Sequence, residues 1–158
     1  MSNTIYNSQI INKNIKVNIL NVGKNINEIL TTSLKNELEG KCINEGFVKP
    51  GSIKIINYSS GLIHGDNIVF STNIQLDICN PVEDIEIKCK VQDITKAGIR
   101  AKLDMDLSPL VIFIARDHHN LNEKFQNVKE NDIINVNIIG TRFELNDTYI
   151  SVIGELID

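Results

Sequence analysis

The residues whose chemistry could serve a reaction are few and scattered. Asp117, His118 and His119 stand in a row and form the one cluster that resembles a metal site. Adjacent residues of an extended chain point to opposite sides, and no third and fourth ligand accompany them at a zinc-like spacing. A polar turn after a buried strand explains the same three residues. Gly61 and Gly65 enclose Leu62, Ile63 and His64, but the flanking pattern runs from strand to strand. It offers no helix amino terminus to receive a phosphate, so neither a Walker loop nor a dinucleotide fingerprint is present. His64 reads as loop surface. Glu83, Asp84, Asp104 and Asp106 lack the alternating oxygen ligands and central glycine of a calcium loop and read as a solvated rim. No nucleophile stands beside a base. The expectation is a protein that is not an enzyme, with no catalytic residues, no metal and no cofactor.

The basic residues are better organised. Lys88 and Lys90 share one face of a strand-like segment, Arg100 and Lys102 share one face of the next, and Lys96, Arg116 and Arg142 lie close by. Such a strip suits single-stranded RNA. Only Phe113 and Phe143 fall within these strands as stacking aromatics, and Phe113 is equally suited to the core, so a solvated face fits as well as a binding surface. The net charge of −4 excludes nucleic-acid binding by global electrostatics, because that affinity comes from Lys and Arg displacing counterions. Any RNA contact must be local or shared with partners.

These residues need a scaffold, and 158 residues with 42% hydrophobic content suffice for one ordinary domain or two small ones. The apolar runs fall far short of the roughly 20 residues that span a bilayer. The opening MSNTIYNSQIINK has no basic region followed by an apolar one, so the expected location is intracellular. Three cysteines, Cys42, Cys79 and Cys89, without a Cys-x-x-Cys pair, predict reduced and mostly buried thiols.

The element pattern changes near Asn80-Pro81, which places a domain boundary between 1–80 and 81–158. In the first part a strand is expected over Ile10 to Leu20, where Ile15, Val17 and Ile19 alternate with polar residues. Asn25 and Glu28 have the spacing of a helix cap, followed by Ile26, Ile29, Leu30, Leu34 and Leu38 on one face and a stop at Gly40. Strands follow at Cys42 to Val48, Ser52 to Tyr58, Asn67 to Phe70 and Ile74 to Cys79. The loop Ser59 to Asp66 is either a plain hairpin connection or an exposed tip that inserts into another protein. The second part reads as five strands, 85–94, 98–103, 110–115, 133–141 and 149–156, with one irregular connection from Arg116 to Asp132. This pattern fits a small OB barrel or a fragment of a sandwich.

Several segments in order also resemble one family. They are LKNELEGKC (Leu34 to Cys42) with Gly46-Phe47-Val48, the segment Gly61 to Gly65, Asn80-Pro81-Val82-Glu83, Lys96-Ala97-Gly98-Ile99, Ile139-Gly140-Thr141-Arg142, Asn146-Asp147 and Ile153-Gly154. Across nearly its full length the chain is similar to the seventh subunit of eukaryotic RNA polymerase II and to its counterpart in the archaeal RNA polymerase stalk, with a large-DNA-virus version fitting the Asn- and Ile-rich composition. The resemblance implies an α+β protein: an amino-terminal strand, helix and antiparallel sheet that docks on the polymerase, then a five-stranded OB-fold β-barrel that binds RNA. It implies a non-catalytic stalk subunit beside the RNA exit channel in transcription. The implied partners are the large polymerase core subunits, a smaller helical stalk subunit of the fourth-subunit type, and nascent single-stranded RNA, with no membrane. The implied location is the nucleus, or the host cytoplasm or virion for a virus. Carried onto this sequence, the core-docking tip comprises Val22, Gly23 and Lys24 with Tyr58, Gly61, Leu62, Ile63, His64 and Gly65. The barrel strip Lys88, Lys90, Lys96, Arg100, Lys102, Arg116 and Arg142 would meet RNA. The alternative is a free OB-fold RNA-binding protein of translation or RNA decay.

Overall fold

A computed structural model describes residues 5–119 and 121–157. The chain is α+β and divides into two compact units, one ending at Cys79 and the other beginning at Asn80.

The first unit is organised around one long strand. Numbering strands in chain order, β6 (Asn67–Cys79) pairs antiparallel along its whole length with β1 (Tyr6–Asn18). Its other edge is shared by β3 (Gly46–Val48), β4 (Lys54–Tyr58) and β5 (Leu62–His64), and β2 (Cys42–Ile43) adds beyond β3. Helix α1 (Ile26–Leu38) covers one face. Leu30, Leu34 and Leu38 recur every fourth residue and are buried against Ile15, Val17, Val48, Ile53, Phe70, Ile74, Leu76 and Ile78. Each fully buried leucine contributes about 1.5–3 kcal/mol relative to exposure. The opposite face is a polar ladder. The Asn12 amide donates to Ser71 Oγ and to Asn73 Oδ1, both at 3.0 Å, and Asn73 donates to Asn57 Oδ1 at 2.8 Å. The abundance of asparagine thus has a structural use on this sheet. Thr72, fully buried, is satisfied by donating to the Lys13 carbonyl at 2.6 Å.

Several boundaries differ from the sequence expectation. The first strand ends at Asn18, whose side chain accepts from the Leu20 amide at 2.9 Å and starts a 3-10 turn over Ile19–Asn21. Asn25 occupies the cap position of α1 without a side-chain cap bond, so the expected capping box does not form. Cys42 to Val48 is a tight hairpin rather than one strand. The two strands expected between Asn67 and Cys79 are one, because Ser71 and Asn73 face the polar side and continue the alternation.

The second unit is a closed barrel of five strands, β7 (Glu86–Ile94), β8 (Gly98–Lys102), β9 (Leu110–Ala115), β10 (Ile133–Arg142) and β11 (Ile150–Leu156). Around the barrel the order is β10-β11-β9-β8-β7, with β9 and β11 parallel and the remaining pairs antiparallel. This is an OB-like arrangement, and the sandwich alternative falls away. Every second residue points inward, including Cys89, Val91, Ile112, Ile114, Val136, Ile138 and Val152. Register shifts at Val91/Asp93 and Ile138/Gly140 supply the local bends that let so few strands close.

The connection from Arg116 to Asp132 is more ordered than its sequence suggests. It carries a 3-10 turn over Arg116–His119 and a short helix, α2 (Glu123–Asn127), capped by Asn122 Oδ1, which accepts from the amides of Lys124 and Phe125. Phe125 is buried beneath it and stacks on His119, with ring centroids 5.0 Å apart. His119 Nδ1 lies 2.7 Å from the Ala115 carbonyl and Nε2 accepts from the Leu156 amide at 3.0 Å. The ring is therefore a neutral tautomer that ties β11 to this turn, and neither nitrogen is free to hold a metal.

Two predictions concern the fold. Gly98 has φ +156°, and a Cβ there would overlap the carbonyl oxygen of Ile114 on the paired strand. Gly98→Ala is expected to destabilise the barrel by about 2–4 kcal/mol, read as a lower urea midpoint of its backbone amide NMR signals. None of the three cysteines forms a disulfide, and all three are buried. Burial pushes Cys89 from 9.0 up to about 12, and burial with the neighbouring Cys42 does the same to Cys79. At pH 8 this lowers the thiolate population about a thousandfold, so iodoacetamide is expected to label these residues only after unfolding. The folded state holds protons that the unfolded chain releases near pH 9. The resulting stability is complete below pH 9 and is lost progressively as pH rises towards 12, which alkaline unfolding monitored by circular dichroism would show.

Candidate docking tip and nucleic-acid interface

The sequence segments assigned to a docking tip converge in the first unit. The Ile19 amide donates to the Asp66 carbonyl at 3.0 Å, which joins the turn after β1 to the β5–β6 hairpin. At this end Leu20 is 89% exposed, Leu62 72% and Ile63 76%, and Ile19 and Tyr58 are also exposed. Tyr58, the last residue of β4, packs edge-on against the buried Phe70 of β6, with ring centroids 6.2 Å apart. Side-chain crowding explains Gly61: a Cβ there would overlap the Ile68 side chain and crowd the Phe70 ring. Gly65 makes the hairpin turn at φ +64°, and His64 is solvent-facing. Val22 is half-buried against the core cluster, and Gly23 and Lys24 are exposed beside it. Leu20 and Ile19 did not enter the expected tip. Their signal was present, because an apolar doublet at the end of an alternating strand cannot place both side chains inside.

In the barrel, Lys88 and Lys90 project from the outer face of β7, and Arg100 and Lys102 project from β8. The register sets Lys90 opposite Lys102 and Asp93 opposite Arg100. Among the described residues no carboxylate forms an ion pair with any of these four or with Lys96, which lies in the β7–β8 turn. Like charges directly opposite on neighbouring strands are mutually unfavourable. A polyanion laid across them would relieve the repulsion. Phe113 is paired with Arg100 and is 37% exposed on the outer face, so it is not a core residue. Alternation fixes this, since Ile112 and Ile114 are the inward neighbours. Ile153, opposite Phe113 on β11, and Ile139, at the bulge of β10, extend the exposed apolar surface beside it. Phe143 lies just beyond β10 rather than within it.

Two of the expected RNA contacts are differently placed. Arg116 Nε donates to the Lys96 carbonyl at 3.0 Å and its Nη2 to the Thr95 carbonyl at 2.9 Å, with the guanidinium 5.2 Å from the centre of the Phe125 ring. It braces the β7–β8 turn that carries Lys96. Arg142 is at the far end of β10, 3.8 Å from Glu144 and well exposed. Among the described residues no group of three or more His, Cys, Asp or Glu side chains is arranged to hold a metal, and no helix is long and apolar enough to cross a membrane.

No family model matches the chain. It is similar to a protein of Acanthamoeba polyphaga mimivirus that is provisionally named a DNA-directed RNA polymerase subunit, with 26% identity covering 85% of this chain and 73% of that protein.

Proposed function

We infer that this chain is a non-catalytic subunit of a DNA-directed RNA polymerase, placed in the stalk, where its first unit docks on the polymerase core and its barrel guides emerging RNA. The observation that carries this reading is the apolar tip. Leucine and isoleucine side chains as exposed as Leu20, Leu62 and Ile63, held on one hydrogen-bonded corner, are a large apolar cost unless a partner covers them. Of the segments that resemble the stalk family, Gly61 to Gly65 lies at that corner, and Lys96-Ala97 and Asn146-Asp147 lie in turns between barrel strands, while the similarity to the mimivirus protein supports a polymerase subunit. Nucleotide addition then belongs to the large subunits. A smaller helical stalk subunit is the second expected partner. The site of action is wherever the polymerase works, the nucleus or the host cytoplasm and virion.

RNA recognition in this reading is local. Lys88, Lys90, Arg100 and Lys102 take phosphates while Phe113 offers one stacking surface, an arrangement suited to weak, sequence-tolerant binding of a single strand.

Replacing Leu62 and Ile63 with Asp would place two charges against an apolar partner surface, where burial is strongly unfavourable. The tagged variant is expected to lose the large polymerase subunits on purification from the native source, while the barrel's NMR spectrum stays unchanged. If the wild-type chain brings down no polymerase subunit yet binds RNA alone, it acts as a free RNA-binding protein. Converting Lys88, Lys90, Arg100 and Lys102 together to Gln is expected to weaken oligouridylate binding. It should also flatten the salt dependence by about 0.7 in the log–log slope for each phosphate no longer neutralised. An unchanged slope would show that RNA uses another face.

A further inference from the structure

One end of the barrel differs in chemistry from the strip just described. The β8–β9 loop, Leu103 to Pro109, and the β10–β11 loop, Phe143 to Tyr149, emerge there side by side. Ile150 is in register with Leu110, and the Ile150 amide donates to the Pro109 carbonyl at 2.8 Å. Four large apolar side chains are exposed on these two loops: Met105 at 37%, Leu107 at 68%, Leu145 at 61% and Tyr149 at 41%. Between them lie the exposed carboxylates of Asp104, Asp106, Glu144 and Asp147. Cations stand at the margin only, with Lys102 at the last residue of β8 and Arg142 at the last residue of β10 beside Glu144.

Both loops are held by their own hydrogen bonds. Ser108 Oγ accepts from the amides of Leu103 and Leu110 and donates to the Leu110 carbonyl. Asp147 Oδ2 accepts from the Glu144 amide at 2.8 Å, and the Asp147 amide returns a bond to the Glu144 carbonyl. A surface already fixed in shape loses little conformational entropy when it is covered.

We propose that this rim is a docking site for a protein segment that carries Lys or Arg interspersed with apolar residues. The exposed apolar side chains require a protein-like cover, and the surrounding carboxylates select its charge. RNA is disfavoured because its phosphates would face four carboxylates. A second copy of the chain docking rim to rim would set like charges against each other. The rim and the tip belong to different units, and the inference does not depend on the stalk assignment.

The test uses the full chain in its native source, with the photo-crosslinking residue p-benzoyl-phenylalanine placed at Leu107 or at Leu145, and at exposed Glu130 as a reference. The expected result is a crosslink from both rim positions to a protein, mapping to a segment rich in Lys or Arg and apolar residues. The yield should fall at least about tenfold, equivalent to about 1.4 kcal/mol, when D104K and D106K are introduced together. Circular dichroism on that variant confirms that the barrel remains folded. Crosslinks to RNA or to a second copy, a rim yield no higher than that at Glu130, or a protein crosslink unaffected by charge reversal would each overturn the proposal.

Discussion

A β-strand can present only every second side chain to one side, and both units are built on how that constraint is met. In the first, β6 gives Phe70, Thr72, Ile74, Leu76 and Ile78 to the helix-covered side and Ser71, Asn73 and Gln75 to the other. In the barrel the inward set closes on itself, so no helix is needed to cover it and the outward set is released for other uses. Lys88, Lys90, Arg100 and Phe113 are surface residues because Cys89, Val91, Ile99, Ala101, Ile112 and Ile114 are not. A one-residue slip of β8 against β9 would turn Arg100 inward, so the geometry of the basic strip is protected by the same burial that stabilises the barrel.

The tip is where the alternation stops. Ile19 and Leu20 follow Val17, the last inward residue of β1, and the chain turns before either can reach the core. On the neighbouring hairpin β5 is only three residues long and all three are exposed. A short edge strand with Leu62 and Ile63 outward is an aggregation liability unless it is normally covered. The Ile19 to Asp66 bond ties that hairpin to the turn after β1.

Periodicity made much of this legible beforehand. The five barrel strands, α1 and the faces occupied by the paired lysines follow from alternation and from the four-residue recurrence of leucine. Features set by tertiary contacts were not legible. Phe113 has the sequence surroundings of a core residue, Leu110-Val111-Ile112-Phe113-Ile114, and only its parity with the buried isoleucines places it outside. His119 looked like part of a polar turn or a metal cluster. Its partners, Ala115 O and the Leu156 amide, include a strand 37 residues away, which no local pattern encodes. Arg116 is similar, since its role as a brace depends on carbonyls in a turn about 20 residues earlier.

A chain with a net charge of −4 can still present a surface attractive to RNA, because a phosphate responds to charges within about one Debye length, roughly 8 Å at physiological salt. Between Lys96 and Asp104 the chain advances eight residues, about 25 Å if fully extended, so the carboxylates of the β8–β9 loop are largely screened from the β7–β8 turn. Lys102 lies nearer to them and should be the weakest phosphate ligand of the strip. A strand of RNA would then be held most firmly towards Lys96 and Arg100 and repelled at the opposite end. The uneven placement of charge on one small barrel would thereby give a bound strand a direction that its net charge could not.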